Sequence, residues 1–182
     1  MSLYSAGVEY GIHCLAFLVG NGGDSREASV RDLAELQGVP VEYLAKIFTK
    51  LAKGKLVVAS EGVRGGFSLA RPADEITLLD IVNAIDGRKN IFECRDIRGR
   101  CALFEGNPPE WATEGTCSIH GAMMTAQKRM EEALAQQTIL DIARKVGRKA
   151  PAEFGQQVED WIQDRREKKG NVGTIALTDI TD

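Results

Sequence analysis

The sequence predicts a mainly α protein with a small β-hairpin, because helical apolar spacing recurs along the 182 residues and strand-like alternation is confined to one segment. In that segment, Val39 to Arg71, an amphipathic helix is followed by a β-branched run, a glycine-rich turn and a second short strand. Farther along, an apolar seam from Ile119 to Leu134 repeats every three or four residues. Together these patterns predict a winged helix-turn-helix domain followed by a long C-terminal dimerisation helix.

Two helices are predicted before the hairpin segment. Apolar residues keep a helical period from Ala6 to Val19, and the glycine cluster that follows ends that helix. Ser29 is a suitable N-cap for the next helix, with Asp32 three residues later, and Gly38 ends it. A short connection around Pro40 then leads to the third helix, which is typical of a helix-turn-helix. Two further caps of the Ser29 type are predicted at Thr77 and Thr138.

The third predicted helix has one apolar face and one polar, lysine-rich face. Gly54 is expected to end this helix in a left-handed conformation. Between Val41 and Arg71 there are six Lys or Arg and two Glu, with Arg64 at the tip of the turn. This local positive charge suits a phosphate backbone, so double-stranded DNA is the expected partner. The residues expected on the buried face are Leu44, Ile47, Phe48 and Leu51.

The composition limits the classes of function. A net charge of −3 argues against a protein that binds by charge alone, such as a histone-like protein. The first residues lack the charged region, apolar core and cleavage site of a signal peptide, and no apolar run approaches about 20 residues. We therefore expect a cytoplasmic protein that does not contact a membrane.

The predicted elements divide the chain into four parts. Residues 1–87 form the winged helix-turn-helix domain, and residues 88–117 form a sensor loop that carries cysteines. Residues 118–169 contain the dimerisation helix and the C-terminal helices, although the long helix could instead fold back on its own domain. Residues 170–182 have neither a cap nor an apolar seam and are expected to form a flexible tail.

The four cysteines fall into two groups. In a reducing compartment they indicate packing, reactivity or metal binding rather than disulfides. Cys14 lies in an apolar helix and is interpreted as a small core residue. Cys94, Cys101 and Cys117 lie within 24 residues of one another. Thiolates grouped in this way are suited to a soft metal centre.

Several sequence blocks carry a family resemblance. They are Asp32-Leu33-Ala34-Glu35, Tyr43-Leu44, Gly62 to Phe67, Leu69 to Pro72, and Ile76 to Gly87. In these blocks the chain resembles the Rrf-two family of bacterial winged-helix transcription regulators, which includes IscR, NsrR and RsrR. The resemblance implies a homodimer on a partly palindromic operator, with a recognition helix in the major groove and a wing arginine in the minor groove. The DNA contacts that it implies are Ser29, Val41, Glu42, Tyr43, Lys46, Lys50 and Arg64.

The same resemblance implies an iron-sulfur cluster and, with it, a repressor that senses redox, nitrosative or iron-sulfur status. A [2Fe-2S] cluster is expected, with [4Fe-4S] as the alternative. Members that sense in this way carry three cysteines before the dimerisation helix. The gap from Cys94 to Cys101 is similar to the family pattern, whereas the gap from Cys101 to Cys117 is longer. Cys101 is therefore a candidate ligand outside the expected spacing.

Two schemes complete the cluster site. In an IscR-like scheme, the cysteines are joined by His120, three residues after Cys117. In an RsrR-like scheme, Glu9 and His13 of the first helix reach a cluster held by Cys94 and Cys117 of the other subunit. Glu9 and His13 are one helical turn apart and share a face, and an apolar helix has no structural need for that pair. We favour the second set, because the opening helix also resembles that of RsrR.

Other interpretations remain open. The protein could act without metal as a thiol-disulfide switch between Cys94 and Cys101. Glu9 and His13 could form an ordinary surface pair, and His120 could be solvated. A cysteine enzyme is not expected, because the sequence indicates neither an oxyanion-hole turn nor a substrate cleft, so no catalytic residue or small-molecule substrate is assigned. A winged module that does not bind DNA is the last alternative.

Overall fold

A computed structural model describes residues 2–62 and 65–175, with side chains described as far as residue 168. The described helices are α1 (Ala6–Phe17), α2 (Val30–Gln37), α3 (Val41–Lys53), α4 (Leu78–Asp86), α5 (Glu110–Thr113), α6 (Ser118–Ala135), α7 (Ile139–Lys149) and α8 (Phe154–Ile175). Strands β1 (Val57–Ala59) and β2 (Phe67–Leu69) form an antiparallel hairpin, and two 3-10 turns cover Ile97–Arg100 and Ala102–Phe104. The predicted fold class, mainly helical with a small β-hairpin wing, is confirmed.

The predicted caps set the starts of three helices. The hydroxyl oxygen of Ser29 accepts a hydrogen bond from the backbone N–H of Asp32 at 3.2 Å, and α2 ends at Gly38 with a φ of 66°. Thr77 and Thr138 each form a full capping box, with Asp three residues later, at the starts of α4 and α7. These boundaries follow from local hydrogen bonding and are therefore visible in the sequence.

The end of α3 differs from the prediction. The φ of Gly54 is −76°, and Lys55 takes the left-handed conformation instead, with a φ of 57°. Glycine is required at position 54 for another reason, because a Cβ atom there would lie 2.9 Å from the Cβ of Ala84 in α4. Gly54 therefore allows α3 and α4 to pack closely, a requirement that arises from tertiary structure.

The wing is attached to the segment that precedes α2. Phe67 in β2 exchanges two backbone hydrogen bonds with Ala28, at 2.8 and 3.1 Å. A Cβ atom at Gly66 would lie 2.6 Å from the carbonyl oxygen of Ala28, so only glycine permits this approach. Val63 and Arg64 at the tip lie outside the described residues, and Arg64 is the predicted wing contact.

The hydrophobic core lies where α1, α3 and α4 pack together, with α2 and α7 against them. The predicted buried face of α3 is confirmed in full. Cys14 is completely buried in this core, and burial raises the pKa of its thiol to about 12. The interpretation of Cys14 as a core residue is confirmed, and a thiol so hard to ionise is a poor nucleophile or metal ligand. The largest fully buried side chains are Phe48, Leu15, Leu18, Leu33, Leu44, Leu51, Leu56, Ile76, Ile81, Ile139 and Ile162.

The long helix α6 is only partly used by its own chain. Toward its C-terminal end, Leu134 packs against the core, and the Tyr4 hydroxyl lies 3.6 Å from the sulfur of Met130. Toward its N-terminal end, the side chains of Ile119 and Met124 are 66% and 46% exposed. Ile119 belongs to the predicted seam and Met124 lies beside it, and this exposed apolar surface is suited to a partner surface.

Helix α8 packs back on the N-terminal domain through buried Val158 and Ile162. The sequence predicts a tail that begins at Gly170, but helix α8 continues to Ile175. The rest of the predicted tail, residues 176–182, lies outside the described residues. Before Gly170 the helix is rich in Glu, Gln, Lys and Arg, and the side chains of Gln163 and Glu167, four residues apart, form a hydrogen bond. None of the described helices is long and apolar enough to cross a membrane. Ion pairs join α8 to the N-terminal domain at Arg26–Glu159, Glu27–Arg166 and Glu35–Arg165.

Candidate nucleic-acid interface and thiol site

The N-terminal half of α3 presents four predicted DNA contacts to solvent. Val41 and Tyr43 are each 40% exposed, and Glu42 and Lys46 lie beside them on the same open surface. The face therefore combines aliphatic, aromatic, carboxylate and ammonium groups. Groups of these kinds can contact base edges and phosphates in a DNA groove.

Ser29 and Lys50, also predicted DNA contacts, already have protein partners. The hydroxyl of Ser29 caps α2 and lies 2.5 Å from a carboxylate oxygen of Asp32. The ammonium of Lys50 donates a 2.7 Å hydrogen bond to the carbonyl oxygen of Ile85, near the C-terminal end of α4. A cation at that end also faces the negative pole of the helix dipole. Lys50 thus has a structural role that the spacing along α3 does not reveal.

Tyr43 connects α3 to α1. Its ring meets that of Tyr10 edge to face, with centroids 5.8 Å apart and planes at 88°. A Cβ atom at Gly7 would lie 3.2 Å from the Tyr43 hydroxyl, so this side chain sits directly on α1. One predicted DNA contact is therefore positioned by the helix that carries Glu9 and His13.

Glu9 and His13 lie on the exposed side of α1, one turn apart as predicted. With Tyr4, Val8 and Ile12 they line a shallow groove of about 360 Å³. Among the described residues, the side chains of Glu9 and His13 do not form an ion pair with each other. The groove leaves both groups accessible to a second chain.

The structure brings Cys94 and Cys117 together. Cys117 directly precedes α6, and its sulfur interacts with the thiol of Cys94. The sulfur of Cys94 accepts a hydrogen bond from the backbone N–H of Asp96 at 3.4 Å. The long gap in sequence between the two predicted thiolates is therefore closed by the fold of the loop.

The environment of Cys117 favours its thiolate. Its pKa lies below the usual range for a thiol because the backbone N–H groups of His120 and Ile119 face the sulfur, and the charge of Arg98 and the contact with Cys94 act in the same direction. The Cys117 side chain does not form a capping hydrogen bond with these N–H groups. We therefore attribute the lowered pKa to the positive electrostatic field at the N-terminus of α6. The thiolate is the form that binds metals and attacks disulfides.

Arg98 fastens the loop that joins these cysteines. Its Nε donates to a carboxylate oxygen of Asp96 at 2.7 Å, and its two Nη atoms donate to the carbonyl oxygens of Glu114 and Gly115 at 3.1 and 2.8 Å. The planar guanidinium therefore joins the part of the loop that follows Cys94 to the part that precedes Cys117. The sequence does not reveal this role of Arg98, because an Asp-x-Arg pair is its only local signal.

Cys101 and His120 have different surroundings. Cys101 is exposed between the two 3-10 turns, whereas Cys94 is partly buried and lies near Cys117. The Nδ1 atom of His120 is buried without a hydrogen-bond partner among the described residues, and its ring centroid lies 6.2 Å from that of Phe92. A buried ring nitrogen without a partner is unusual and suits a metal or a further chain.

The described residues of one chain do not assemble a complete metal site. No three His, Cys, Asp or Glu side chains among them lie close enough to hold a metal ion. Cys94 and Cys117 form the core of the candidate site, while Glu9 and His13 face outward elsewhere. A full ligand set therefore requires a second chain or a rearrangement of the cysteine loop.

Comparisons with known proteins agree with this architecture. The Rrf2 family, described as "Iron-dependent Transcriptional regulator", matches residues 4–145. A protein of Aquifex aeolicus named as an HTH-type transcriptional regulator is 29% identical over 140 residues, which cover 77% of this chain and 90% of that protein.

Two solved structures show the same fold. The global cysteine regulator CymR of B. subtilis has a TM-score of 0.59 and 19% identity, and the match covers 80% of this chain and 98% of that one. IscR of T. potens has a TM-score of 0.58 and 20% identity, with 83% and 92% of the two chains covered. The helices and the hairpin of this chain are thus arranged as in these regulators.

Proposed function

Because this chain belongs to the Rrf2 family of transcriptional regulators, which are not enzymes, we propose that it is a homodimeric, cytoplasmic repressor controlled by an iron-sulfur cluster. One observation carries the sensing part of this proposal. Cys94 and Cys117 are neighbours in the folded loop, and the pKa of Cys117 is lowered at the start of α6. Two thiols with a stabilised thiolate suit the soft iron of such a cluster. The description of the family as iron-dependent supports the same assignment.

The DNA-binding surface in this proposal is the exposed face of α3 together with the wing. Val41, Tyr43 and Lys46 would reach the major groove, and Arg64 would reach the minor groove. Glu42, Ser29 and Lys50 complete the set that the family resemblance implies. In a two-fold dimer, the two α3 helices must lie about 34 Å apart to read one face of B-DNA.

The exposed part of α6 supports the dimer. Ile119 and Met124 leave apolar surface in water, which a second copy of α6 would cover. An isologous contact of this kind uses the same surface patch on both subunits. It would also bring the Cys117 end of one α6 toward the other subunit.

Two ligand sets are compatible with the thiol pair. In the favoured RsrR-like set, Glu9 and His13 of the other subunit join Cys94 and Cys117, and both are accessible in their groove. In the competing set, His120 joins the cysteines, and its buried, unpartnered Nδ1 favours this role. When bound, the cluster would supply one-electron redox chemistry.

The exposed position of Cys101 makes it the weakest candidate ligand. A site with two thiolates and two other ligands resembles those of two-iron clusters, so we propose [2Fe-2S] rather than [4Fe-4S]. A third thiolate from Cys101 would favour the larger cluster. Substitution of Cys101 therefore distinguishes the two types.

A path from sensor to DNA runs through α1. Glu9 and His13 flank Tyr10 in this helix, and Tyr10 packs on Tyr43 at the exposed face of α3. A small displacement of α1 would therefore shift Tyr43 and the angle at which α3 enters the groove. Because operator affinity depends on the placement of both recognition helices, such a displacement would change affinity.

The test is anaerobic purification followed by iron and sulfide assays, an absorption spectrum and operator binding. We expect coloured protein whose operator affinity changes severalfold on oxidation or reduction. Cys101→Ala should keep the spectrum, and His13→Ala should change it. Loss of the spectrum in His120→Ala, with His13→Ala unchanged, would support the competing set. Colourless, iron-free protein that still binds its operator normally would refute the cluster.

A cluster-free thiol switch is the second candidate, because the sulfurs of Cys94 and Cys117 already interact. A peroxide would oxidise both thiols to one disulfide, and the two thiol hydrogens would leave as the peroxide is reduced to water. Mass spectrometry of iron-free protein would then show a Cys94–Cys117 link and a loss of two hydrogens together with altered operator affinity.

A further inference from the structure

A cavity of about 630 Å³ lies between α1, the loop that follows it, α7 and the start of α8. Its size is within the range of small-molecule sites and far above that of the voids left by ordinary packing. The roof comes from residues 150–158, which lie beyond the residues matched by the family. The cavity therefore depends on a part of this chain that the family match does not include.

The loop that borders this cavity is fixed in place by close contacts. A Cβ atom at Gly155 would lie 2.6 Å from the side-chain oxygen of Asn21, so this loop sits directly on the first turn of α8. Gly23 has a φ of 87°, which disfavours a side chain, and a Cβ there would lie 3.6 Å from Leu140. Glycines thus seat the loop against both α7 and α8, and the cavity remains between them.

The ionisable side chains that line the cavity are all of basic residue types. His13, Arg26 and Arg144 line it, and no Asp or Glu does so among the described lining residues, although the chain has more acidic than basic residues. Arg26 is buried and neutralised by Glu159 at 2.6 Å. Arg144 is exposed and has no ion pair within 4 Å in the described part of the chain. The apolar part of the lining includes Phe17, Val19, Leu140, Val146, Phe154 and Val158.

We infer that this cavity binds a small organic anion with an apolar body, of the aromatic or medium-chain carboxylate class. The apolar walls would take the hydrocarbon part out of water. The Arg144 guanidinium offers two parallel N–H groups to a carboxylate, and it does so at the edge of the cavity. Arg144 and the apolar walls carry this binding, and neither belongs to a ligand set proposed for the cluster.

The roof of the cavity is connected to the wing. Arg166 of α8 pairs with Glu27 at 2.6 Å, and the second carboxylate oxygen of Glu27 accepts from the hydroxyl of Ser60, directly after β1. A ligand that binds better when α8 is docked would stabilise this chain of contacts. With the proposed DNA-binding function as its premise, such a ligand would also change operator affinity.

The binding test uses the full-length dimer as purified and titration calorimetry with phenylacetate, indole-3-acetate and octanoate. Phenylacetamide is the neutral control for phenylacetate. We expect at least one carboxylate to bind with a Kd below about 1 mM. If phenylacetate binds, phenylacetamide should bind about tenfold more weakly, because the amide lacks the negative charge that Arg144 recognises.

Two variants with matched controls locate the site. Arg144→Gln should weaken carboxylate binding about tenfold, whereas Arg148→Gln, an exposed arginine of α7 outside the lining, should not. Gly147 lines the cavity, and a Cβ there meets no atom within 4 Å, so Gly147→Leu should fold and should weaken binding at least tenfold by taking up space at the cavity wall. Gly147→Ala should retain most of the binding and verifies that the backbone tolerates a side chain.

The outcomes are separable from those of the cluster assay. If none of the three carboxylates binds at about 1 mM, the inference is overturned. The same negative result is expected if the other subunit fills the cavity, so this case also counts against the inference. Equal binding to wild type and Gly147→Leu would overturn it too, because the ligand would then occupy another place. Iron and sulfide contents of the same preparation report independently on the cluster.

Discussion

Tyr10 and Tyr43 meet edge to face, with their ring centroids 5.8 Å apart, and so join the candidate sensor helix to the exposed face of α3. Tyr10 lies between Glu9 and His13, whereas Tyr43 stands among the predicted DNA contacts. This contact gives the proposed switch a physical connection that involves only two side chains.

Replacing Tyr10 by Leu should weaken this connection. We expect the free energy of unfolding to fall by about 1 kcal/mol, because an aromatic pair is lost, and operator affinity to fall severalfold as Tyr43 loses its support. Thermal unfolding and operator titration measure the two effects. Tyr10→Phe keeps the ring and should resemble wild type, and unchanged DNA affinity in Tyr10→Leu would show that the pair does not position Tyr43.

Cys117 should ionise more readily than a thiol in an unstructured peptide. Its lowered pKa keeps the thiolate populated as pH falls below the usual thiol range, so alkylation by iodoacetamide should remain fast there. The stabilisation that this thiolate gives the folded chain is present at high pH and is lost as pH falls through the folded pKa. Peptide mapping of metal-free Cys101→Ala protein measures the rate.

Arg98→Gln tests the cause of that behaviour. Removing the positive charge and the loop contacts should raise the pKa of Cys117 and slow its alkylation severalfold at neutral pH. Arg95→Gln removes an exposed arginine next to Cys94 and should change the rate less. Equal effects of the two substitutions would mean that net charge alone governs the thiol.

Substitutions of Lys46 and Lys50 should affect different properties, DNA binding for Lys46 and stability for Lys50. Lys50→Ala removes the hydrogen bond to Ile85 at the end of α4 and should lower the free energy of unfolding by about 1 kcal/mol. Lys46→Ala should leave stability unchanged but reduce the salt dependence of operator binding by about one unit. Denaturant unfolding and affinity measured at several salt concentrations test both. The assignment fails if Lys46→Ala is the destabilised variant.

Gly54→Ala should destabilise the domain even though alanine favours helices. The new Cβ would lie 2.9 Å from that of Ala84, and overpacking of this kind costs about 1–3 kcal/mol. Ala84→Gly removes the clash, so the double variant should recover part of the loss in denaturant unfolding. A Gly54→Ala protein as stable as wild type would show that α3 and α4 can move apart without cost.

The sequence by itself determined the features that depend on neighbouring residues. Ser29, Thr77 and Thr138 cap their helices as predicted, because each cap is a hydrogen bond across three residues. The buried face of α3 and the core position of Cys14 followed from helical period. Sequence blocks between Asp32 and Gly87 also indicated the family that residues 4–145 match.

Only the tertiary structure decided the features that join distant residues. It closed the long gap between Cys94 and Cys117 through Arg98, whose partners lie 16 and 17 residues farther along the chain. It assigned Gly54 to helix packing and directed Lys50 to a carbonyl of α4. Such contacts leave no periodic pattern in the sequence, because their geometry exists only once separate elements have packed.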